Sequence, residues 1–403
     1  MPDTKHDLTT VTRKDLFHLP AGVVYLDGNS LGPLPKSVVA RTQAMMSEEW
    51  GDLLVRGWNQ AEWFTQPGRV GDRIGTLIGA PKGSVVMGDT LSIKVYQALA
   101  AALALRPDRK VVLSDSGNFP TDLYMARGLL EMLGQGYELR VVAPEGVESA
   151  IGDDVAAVML TEVDYRTGRK HDMAAITRTA QGAGAIMIWD LAHSAGALPV
   201  DLAASGCEFA VGCTYKYLNG GPGAPAFIFV RPDLANVAHP ALQGWMGHDA
   251  PFSFDLGYSP ARGIERMRVG TPPVIQMTGL EEALKVWDGV SMADIRAAAI
   301  ALMEQFINEV EARCPSLELA SPRDPELRGS QVSFRFPHGY AAMQAVIDRG
   351  VIGDFRAPDI MRFGFTPLYL DEADVTAAVD VIEDVLSRDL WQDQKYQAKG
   401  RVT

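Results

Sequence analysis

The sequence is poor in cysteine, with three among 403 residues. Cys207, Cys213 and Cys314 form neither a CxxC pair nor a disulfide framework, which is typical of a reducing compartment. The seven histidines lack the spacing of metal ligands, so we expect no metal site. No apolar run approaches the length that spans a bilayer, and MPDTKHDLTT at the start lacks the apolar region of a secretory signal. We therefore expect a cytoplasmic protein with no membrane contact.

Positive charge is also scarce. Lys and Arg total 37 against 50 Asp and Glu, which gives a formal net charge of −13. Nucleic acid and anionic membranes repel such a chain, so we predict that neither is a partner. The remaining composition is that of an ordinary globular protein. At 403 residues, the chain exceeds the usual size of a single core, which favours two packed units.

Short apolar runs alternate with helical patterns through the middle of the chain. The apolar runs lack strict polar alternation, which is typical of strands covered on both faces in a parallel sheet. Strands that alternate with helices predict an α/β domain. The predicted strands are KVVLSD (110–115), YELRVVA (137–143), VAAVMLTEV (155–163), AIMIWD (185–190), CEFAVG (207–212) and AFIFV (226–230).

A long helical pattern at 291–314 marks a change of organisation. Two apolar runs, SQVSFRF and MRFGF, and a final helical pattern at 371–386 follow it. This order predicts a smaller α+β domain of ordinary size. We divide the chain into an N-terminal segment that packs on the small domain (1–55), a large domain (56–285) and a C-terminal small domain (286–403).

Polar residues follow the predicted strands at the sheet edge where open α/β sheets bind ligands. Asp190 ends AIMIWD, and Lys216 follows CEFAVG. Pyridoxal phosphate needs a lysine for its Schiff base and a carboxylate that keeps its ring nitrogen protonated. The segment GDTLS (88–92), which opens a predicted helix, offers hydroxyl and backbone N–H groups for a phosphate. Each feature alone is common in proteins, as aspartate and serine favour any helix N-cap, so the prediction depends on their joint placement.

Seven motifs, in order along the chain, resemble those of the kynureninase family. The most specific are WDLAHSAGALPVDL (189–202) and CTYKYLNGGPGAPAFIFV (213–230), where Thr214 departs from the usual serine. The resemblance implies the pyridoxal phosphate-dependent transferase fold type I, as in class V aminotransferases. That fold has a large domain with a mainly parallel seven-stranded sheet, a smaller α+β domain, and a homodimer with shared active sites. The other motifs are YLDGNSLGPLP (25–35), NFPTDLYMARGL (118–129), HPALQGWMGH (239–248), RVGTPPV (268–274) and MRFGFTPLY (361–369).

The resemblance implies a role for each matching residue. Lys216 forms the Schiff base and then moves protons, Asp190 binds the pyridine nitrogen, and Tyr215 binds the phosphate and protonates the substrate Cβ. Further cofactor contacts are implied for Leu91, Ser92, Phe119, Asp122, Thr161 and His193, and for Trp245 and Thr271 of the neighbouring subunit. Substrate contacts are implied for Arg362, which would bind the α-carboxylate, and for Trp58, Asn29 and Ser30.

The activity that the resemblance implies is hydrolysis of L-kynurenine to anthranilate and L-alanine. Such an enzyme is a hydrolase of carbon–carbon bonds in ketonic substances (EC 3.7.1.3), in tryptophan catabolism and NAD biosynthesis. Animal-type relatives, which prefer 3-hydroxykynurenine, carry histidine at the position of Trp58 and asparagine at that of Thr271. We therefore expect a preference for L-kynurenine. Where many relatives read STSVN, this chain reads TLSIK, and we expect its Lys94 to be a solvated helix residue.

Two other interpretations remain open. The first is another fold type I enzyme, a class V aminotransferase or a cysteine desulfurase. A desulfurase needs a mobile, reactive thiol, whereas Cys207 and Cys213 lie in an apolar run and Cys314 ends a helix. The second is a silent relative that binds an amino acid as a regulator. We would expect it to have lost Lys216, Asp190 or Arg362, and the sequence retains all three.

Overall fold

A seven-stranded sheet forms the centre of the computed structural model, which describes residues 11–398 and 400. The pairs on one side of the sheet are parallel, and the strand 227–230 is antiparallel to both of its neighbours. The mainly parallel sheet predicted from the sequence is confirmed. In spatial order the strands are β2 (Val85–Met87), β8 (Phe227–Val230), β7 (Phe209–Gly212), β6 (Ile186–Asp190), β5 (Val155–Thr161), β3 (Val111–Asp115) and β4 (Glu138–Val142).

Helices cover both faces of this sheet, so its central strands are buried along their whole length. This burial explains why their sequences are continuous apolar runs. Every predicted strand of this region is present. The structure adds one strand, β2, whose three residues are too few to show a strand pattern in the sequence. The helices of this part are α3 (Gln66–Leu77), α4 (Leu91–Leu105), α5 (Pro120–Leu133), α6 (Val147–Ala150), α7 (Met173–Gly182), α8 (Leu202–Ser205) and α9 (Val274–Ala283).

A second, four-stranded antiparallel sheet lies in the C-terminal part of the chain. Its spatial order is β12 (Asp354–Arg356), β13 (Ile360–Gly364), β10 (Gln331–Arg335) and β9 (Glu318–Leu319). Packing of the long helix against the last one buries the apolar stripes of both. The helices are α10 (Met292–Arg313), α11 (Gly339–Ile347) and α12 (Glu372–Ser387).

The N-terminal segment contacts both parts of the chain. Its strand β1 (Val24–Tyr25) pairs in parallel with β11 (Val351–Ile352), and α1 (Ser37–Ala44) packs against α9 before continuing as a π-helix to Asp52. A short helix, α2 (Gly57–Gln60), follows. The division at residues 55 and 285 stays a prediction, and its first ten residues lie outside the described ones. Among the described residues, no helix combines the length and apolar character of a membrane span.

Candidate active site

The turn after β7 places Lys216 at the carboxyl edge of the large sheet. The turn closes through backbone hydrogen bonds from Gly220 to Thr214 and from Asn219 to Lys216, each 2.9 Å long. The N-terminal segment packs directly on this turn, since the amide of Gly32 donates to the carbonyl of Tyr215 at 2.8 Å. A Cβ atom on Gly32 would lie 2.3 Å from the Lys216 carbonyl oxygen, so only glycine fits there.

Three of the predicted cofactor residues surround the lysine amine. Nζ of Lys216 lies 3.0 Å from Nε2 of His193, 5.9 Å from the ring centroid of Phe119 and 5.8 Å from that of Tyr215. Burial, together with the charges of Lys216 and Arg362, lowers the pKa of His193 well below its ordinary value. His193 is therefore neutral at neutral pH and can accept a hydrogen bond from the lysine.

Two buried carboxyl groups lie beside the same lysine. Oδ1 of Asp190 accepts a hydrogen bond from the amide of Ala192 at 2.8 Å, whereas Oδ2 of Asp122 is buried without a partner among the described residues. Burial and the charge of Asp190 raise the pKa of Asp122, and burial also raises the pKa of Asp190. A buried carboxyl group with a raised pKa tends to stay protonated until a cation pairs with it, so the site fits a ligand that brings a protonated nitrogen to Asp190, such as the pyridinium of pyridoxal phosphate.

Asn118 fixes the start of α5, where Phe119 lies. Its Nδ2 donates to Oγ of Ser114 at 2.9 Å, and its Oδ1 accepts from the Phe119 amide at 2.7 Å and from the hydroxyl of Thr161. Thr161 and Asp190 are register partners on β5 and β6. The Phe119 side chain stays 40% exposed, with the ring of Tyr165 edge-on at 5.1 Å. An exposed ring held this firmly at a sheet edge fits stacking on a planar cofactor.

The first turn of α4 has no side-chain cap. Thr90 precedes the helix in an extended conformation, and its side chain makes no capping hydrogen bond. The backbone N–H groups of Leu91 and Ser92 therefore remain free of a side-chain cap, and both residues are only partly buried. Free N–H groups at a helix N-terminus bind anions.

The prediction that Lys94 is solvated is wrong. Its side chain is fully buried, and its Nζ donates to Gln97 Oε1 at 2.9 Å, to Asp89 Oδ2 at 3.2 Å and to the Met267 carbonyl at 3.3 Å. Burial lowers the pKa of this amine, against the opposing charge of Asp89. Lys94 thus ties the loop before α4 to the segment at Met267.

Arg362 lies on β13 and is buried in an ion pair that the sequence interpretation missed. Its Nε donates to Oδ1 of Asp354 at 2.7 Å, and its two terminal nitrogens donate to the Ser30 hydroxyl at 2.9 Å and to the Tyr165 carbonyl at 2.5 Å. Both side-chain polar atoms of Asn29 are buried without a hydrogen-bond partner among the described residues. The structure therefore brings Ser30 and Arg362 together, beside an unsatisfied Asn29.

The other three predicted residues lie apart from this centre. Trp58 packs against Trp63 at 5.8 Å, Trp245 packs against Phe252 at 5.8 Å, and Thr271 is exposed. Within residues 11–398, the contacts of Lys216 include none of the three. Trp245 and Thr271 are exposed, whereas Trp58 is half-buried.

All three thiols are buried and free. Burial raises the pKa of Cys207 to about 12 and that of Cys314 to about 11, and it also raises the pKa of Cys213. Such thiols are not ionised at neutral pH and are poor nucleophiles. The part of the chain that the structure describes also contains no group of His, Cys, Asp and Glu side chains suited to a metal ion.

Similar solved structures share this fold. A cysteine desulfurase from Thermococcus onnurineus NA1 superposes with a TM-score of 0.79, at 17% identity over 96% of this chain and all of that one. A cysteine desulfurase from Escherichia coli gives 0.77, at 19% identity over 93% and 98% of the two chains. At these identities the likeness concerns the fold alone. The fold is that of pyridoxal phosphate-dependent enzymes of fold type I, and a lysine and a buried carboxyl group lie at its sheet edge, the two groups that this cofactor needs.

The family follows from closer relatives. The family model "Kynureninase C-terminal domain" matches residues 295–382. A kynureninase from Pseudomonas fluorescens is 50% identical over 394 residues, which cover 96% of this chain and 95% of the relative. One from Burkholderia pseudomallei is 48% identical over 97% of this chain and 95% of the relative. The chain belongs to the kynureninase family.

Proposed function

We propose that the enzyme hydrolyses the Cβ–Cγ bond of L-kynurenine, with consumption of one water, to anthranilate and L-alanine. The observation that carries this proposal is the position of Lys216. Its amine lies between the His193 ring and the exposed ring of Phe119, beside two buried carboxyl groups, in a chain of the kynureninase family. The reaction places the enzyme in tryptophan catabolism, where it also serves NAD biosynthesis.

Lys216, Asp190, Asp122, Phe119 and the first turn of α4 would hold the cofactor. When bound, pyridoxal phosphate supplies an electron sink for bonds broken at the substrate amino acid. Lys216 Nζ would attach the cofactor and, once released, accept the proton from the substrate Cα. His193 Nε2 would orient that amine, because it is the neutral acceptor in contact with it.

Tyr215 would donate a proton. The neighbouring Cys213 thiol and burial raise the pKa of Tyr215, so its hydroxyl stays protonated throughout the neutral range. It lies next to Lys216 in the chain, with the lysine amine 5.8 Å from its ring. We assign to it the protonation of Cβ as the bond breaks, and a contact with the phosphate.

Arg362 would bind the α-carboxylate of the substrate. Its hydrogen bonds to Asp354, Ser30 and Tyr165 use four of its five N–H groups in the described structure. The pairing fixes the plane of the guanidinium in advance and leaves one donor for the substrate. Asn29 and Ser30 would complete the site, since the amide of Asn29 has no other partner among the described residues.

A homodimer in the cytoplasm is part of the proposal. Large apolar side chains are exposed in two regions of the surface: Trp50 is 53% exposed and Val55 77%, while Trp245 is 41% exposed and Phe254 76%. Exposed apolar area of this kind marks interaction sites. A second subunit that covers these regions would bring Trp245 and Thr271 to the neighbouring active site.

The test is a direct assay of the purified protein with pyridoxal phosphate. We expect anthranilate fluorescence after addition of L-kynurenine, with alanine formed in equal amount, and the loss of both in Lys216→Ala. A yellow protein that releases no anthranilate would move the function to a class V aminotransferase or desulfurase. A protein that binds amino acids without turnover would favour a regulatory role.

A further inference from the structure

Gln331 lies on β10 with 1% of its surface exposed, and it joins two parts of the active site. Its Oε1 lies 3.1 Å from Nδ1 of His193, and its Nε2 lies 3.1 Å from the carbonyl oxygen of Tyr165. The same carbonyl accepts a hydrogen bond from Arg362 at 2.5 Å. Gln331 lies in the apolar run SQVSFRF, outside the seven family motifs.

The hydrogen-bond partners fix which way the Gln331 amide points. The carbonyl of Tyr165 can only accept, so the NH₂ group of Gln331 faces it. The oxygen of Gln331 then faces Nδ1 of His193, and that nitrogen must carry a proton in order to donate. A neutral imidazole has one N–H, so Nε2 keeps its lone pair.

The partner on the other side of the ring fits the same tautomer. An ammonium group on Lys216 has three donors and no acceptor, so its 3.0 Å contact with Nε2 of His193 is a hydrogen bond only while the ring proton is on Nδ1. Without Gln331, the lysine amine can turn its donors elsewhere and the ring can exchange tautomers. The charges that face His193 are those of Lys216, Arg362 and Arg356. All three are cations and disfavour a charged imidazolium, so the ring between Gln331 and Lys216 is neutral.

We propose that Gln331 is a positioning residue that holds His193 as the Nδ1–H tautomer, so that Nε2 accepts a hydrogen bond from the amine of Lys216. This inference rests on the proposed function of Lys216. Through the Tyr165 carbonyl, Gln331 also connects the lysine side of the site to Arg362. A structural glutamine that only fills space would affect neither the tautomer nor the amine.

The experiment uses four variants in protein labelled with ¹⁵N in its histidines. Gln331→Met removes both hydrogen bonds at similar volume, and Gln331→Glu keeps the acceptor for Nδ1 but loses the donor to Tyr165. Ser333→Ala is the matched control, because Ser333 lies on the same face of β10 and donates to the next carbonyl, that of Arg166, at 2.6 Å. His193→Gln identifies the His193 signal among the seven histidines.

The first readout is the ring nitrogen spectrum without cofactor or substrate. We expect the Nδ1–H tautomer for His193 in the wild type, in Ser333→Ala and in Gln331→Glu, and a mixture of tautomers in Gln331→Met. An Nε2–H ring in the wild type, or an unchanged tautomer in Gln331→Met, would overturn the proposal. The wild-type and Gln331→Glu spectra decide the question if Gln331→Met does not fold.

The second readout uses the loaded enzyme. We expect Gln331→Met to lower kcat/KM for L-kynurenine by about tenfold or more, and to displace the pH at which the absorbance of the bound cofactor changes. Ser333→Ala leaves both unchanged. A wild-type pH profile in Gln331→Met would contradict the role. If the wild type hydrolyses no kynurenine, the proposed function fails, while the tautomer measurement still tests Gln331 independently.

Discussion

Arg362 and Asp354 form an ion pair in which each side chain keeps 2% of its exposed surface. Nε of the arginine lies 2.7 Å from Oδ1 of the aspartate, and a terminal nitrogen contacts Oδ2. Burial opposes ionisation of Asp354, but the charge and hydrogen bonds of Arg362 outweigh it and hold the pKa of Asp354 below its ordinary value. The carboxylate that orients Arg362 is therefore charged throughout the neutral range.

We expect Asp354→Asn to destabilise the protein strongly, because it leaves a buried guanidinium without its counter-charge. Removal of one partner of a buried ion pair costs about 3–5 kcal/mol. The measurement is urea unfolding at neutral pH. Asp233→Asn is the matched control: its pair with Arg231 has the same 2.7 Å separation, but the Asp233 side chain is 61% exposed. Equal losses of unfolding free energy in the two variants would contradict this reasoning.

The pKa of Asp27 is shifted in the opposite direction to that of Asp354, so its effect on stability has the opposite pH dependence. Burial and the charge of Asp354 raise the pKa of Asp27 to about 7, so the folded state retains a proton that the unfolded state releases near pH 4. The contribution of Asp27 to stability is therefore largest below about pH 4, and it is lost as the pH rises to about 7.

We expect Asp27→Asn to remove this loss, since asparagine has no charge to bury. At each pH we take the free energy of unfolding of the variant minus that of the wild type. This difference should increase by roughly 2–4 kcal/mol from pH 5 to pH 8. Burial also raises the pKa of Glu162 to about 7, so only the difference between variant and wild type isolates Asp27. A difference that does not depend on pH would refute the assignment.

The sequence predicts the parts of the site that the sheet itself creates. Asp190 and Lys216 follow strands, and parallel strands bring their carboxyl ends to one edge. Gln331 and Asp354 carry no such local signal. Gln331 reaches His193 across 138 positions of sequence, and its role depends on how the C-terminal sheet docks against the large one. The way in which the two sheets pack depends on the shapes of their surfaces. The hydrophobic periodicity of the sequence carries no information about those shapes.

Lys94 illustrates the same limit. Helical periodicity places it in α4, but the Met267 carbonyl that it binds lies 173 positions further along the chain. A lysine with three acceptors around it can be buried, and only the structure shows those acceptors.

We expect Lys94→Met to weaken cofactor binding and to lower stability by about 1–3 kcal/mol, because Asp89 in the loop before α4, Gln97 within α4 and the Met267 carbonyl each lose a donor. The measurements are urea unfolding of the cofactor-free protein and titration with pyridoxal phosphate. Lys82→Met is the control, as Lys82 is exposed on the loop that precedes β2. Wild-type affinity and stability in Lys94→Met would mean that the buried amine has no such role.

Trp58 and Thr271 are the positions at which we predict that substrate choice is set. We predict a higher kcat/KM for L-kynurenine than for 3-hydroxykynurenine, and a shift of the ratio toward the hydroxylated substrate in the double variant Trp58→His, Thr271→Asn. The assay is the rate of product formation from each substrate under identical conditions. A wild-type preference for 3-hydroxykynurenine would rule out this assignment.

The central claim, that Lys216 carries the cofactor, can be tested by chemical trapping. The protein loaded with pyridoxal phosphate is reduced with borohydride and digested, and the modified peptide is identified by mass spectrometry. We predict one modified peptide, which contains Lys216 within CTYKYLNGGPG, and no modification in Lys216→Ala. Modification of a different lysine, such as Lys94, or the same labelling in Lys216→Ala, would contradict the claim.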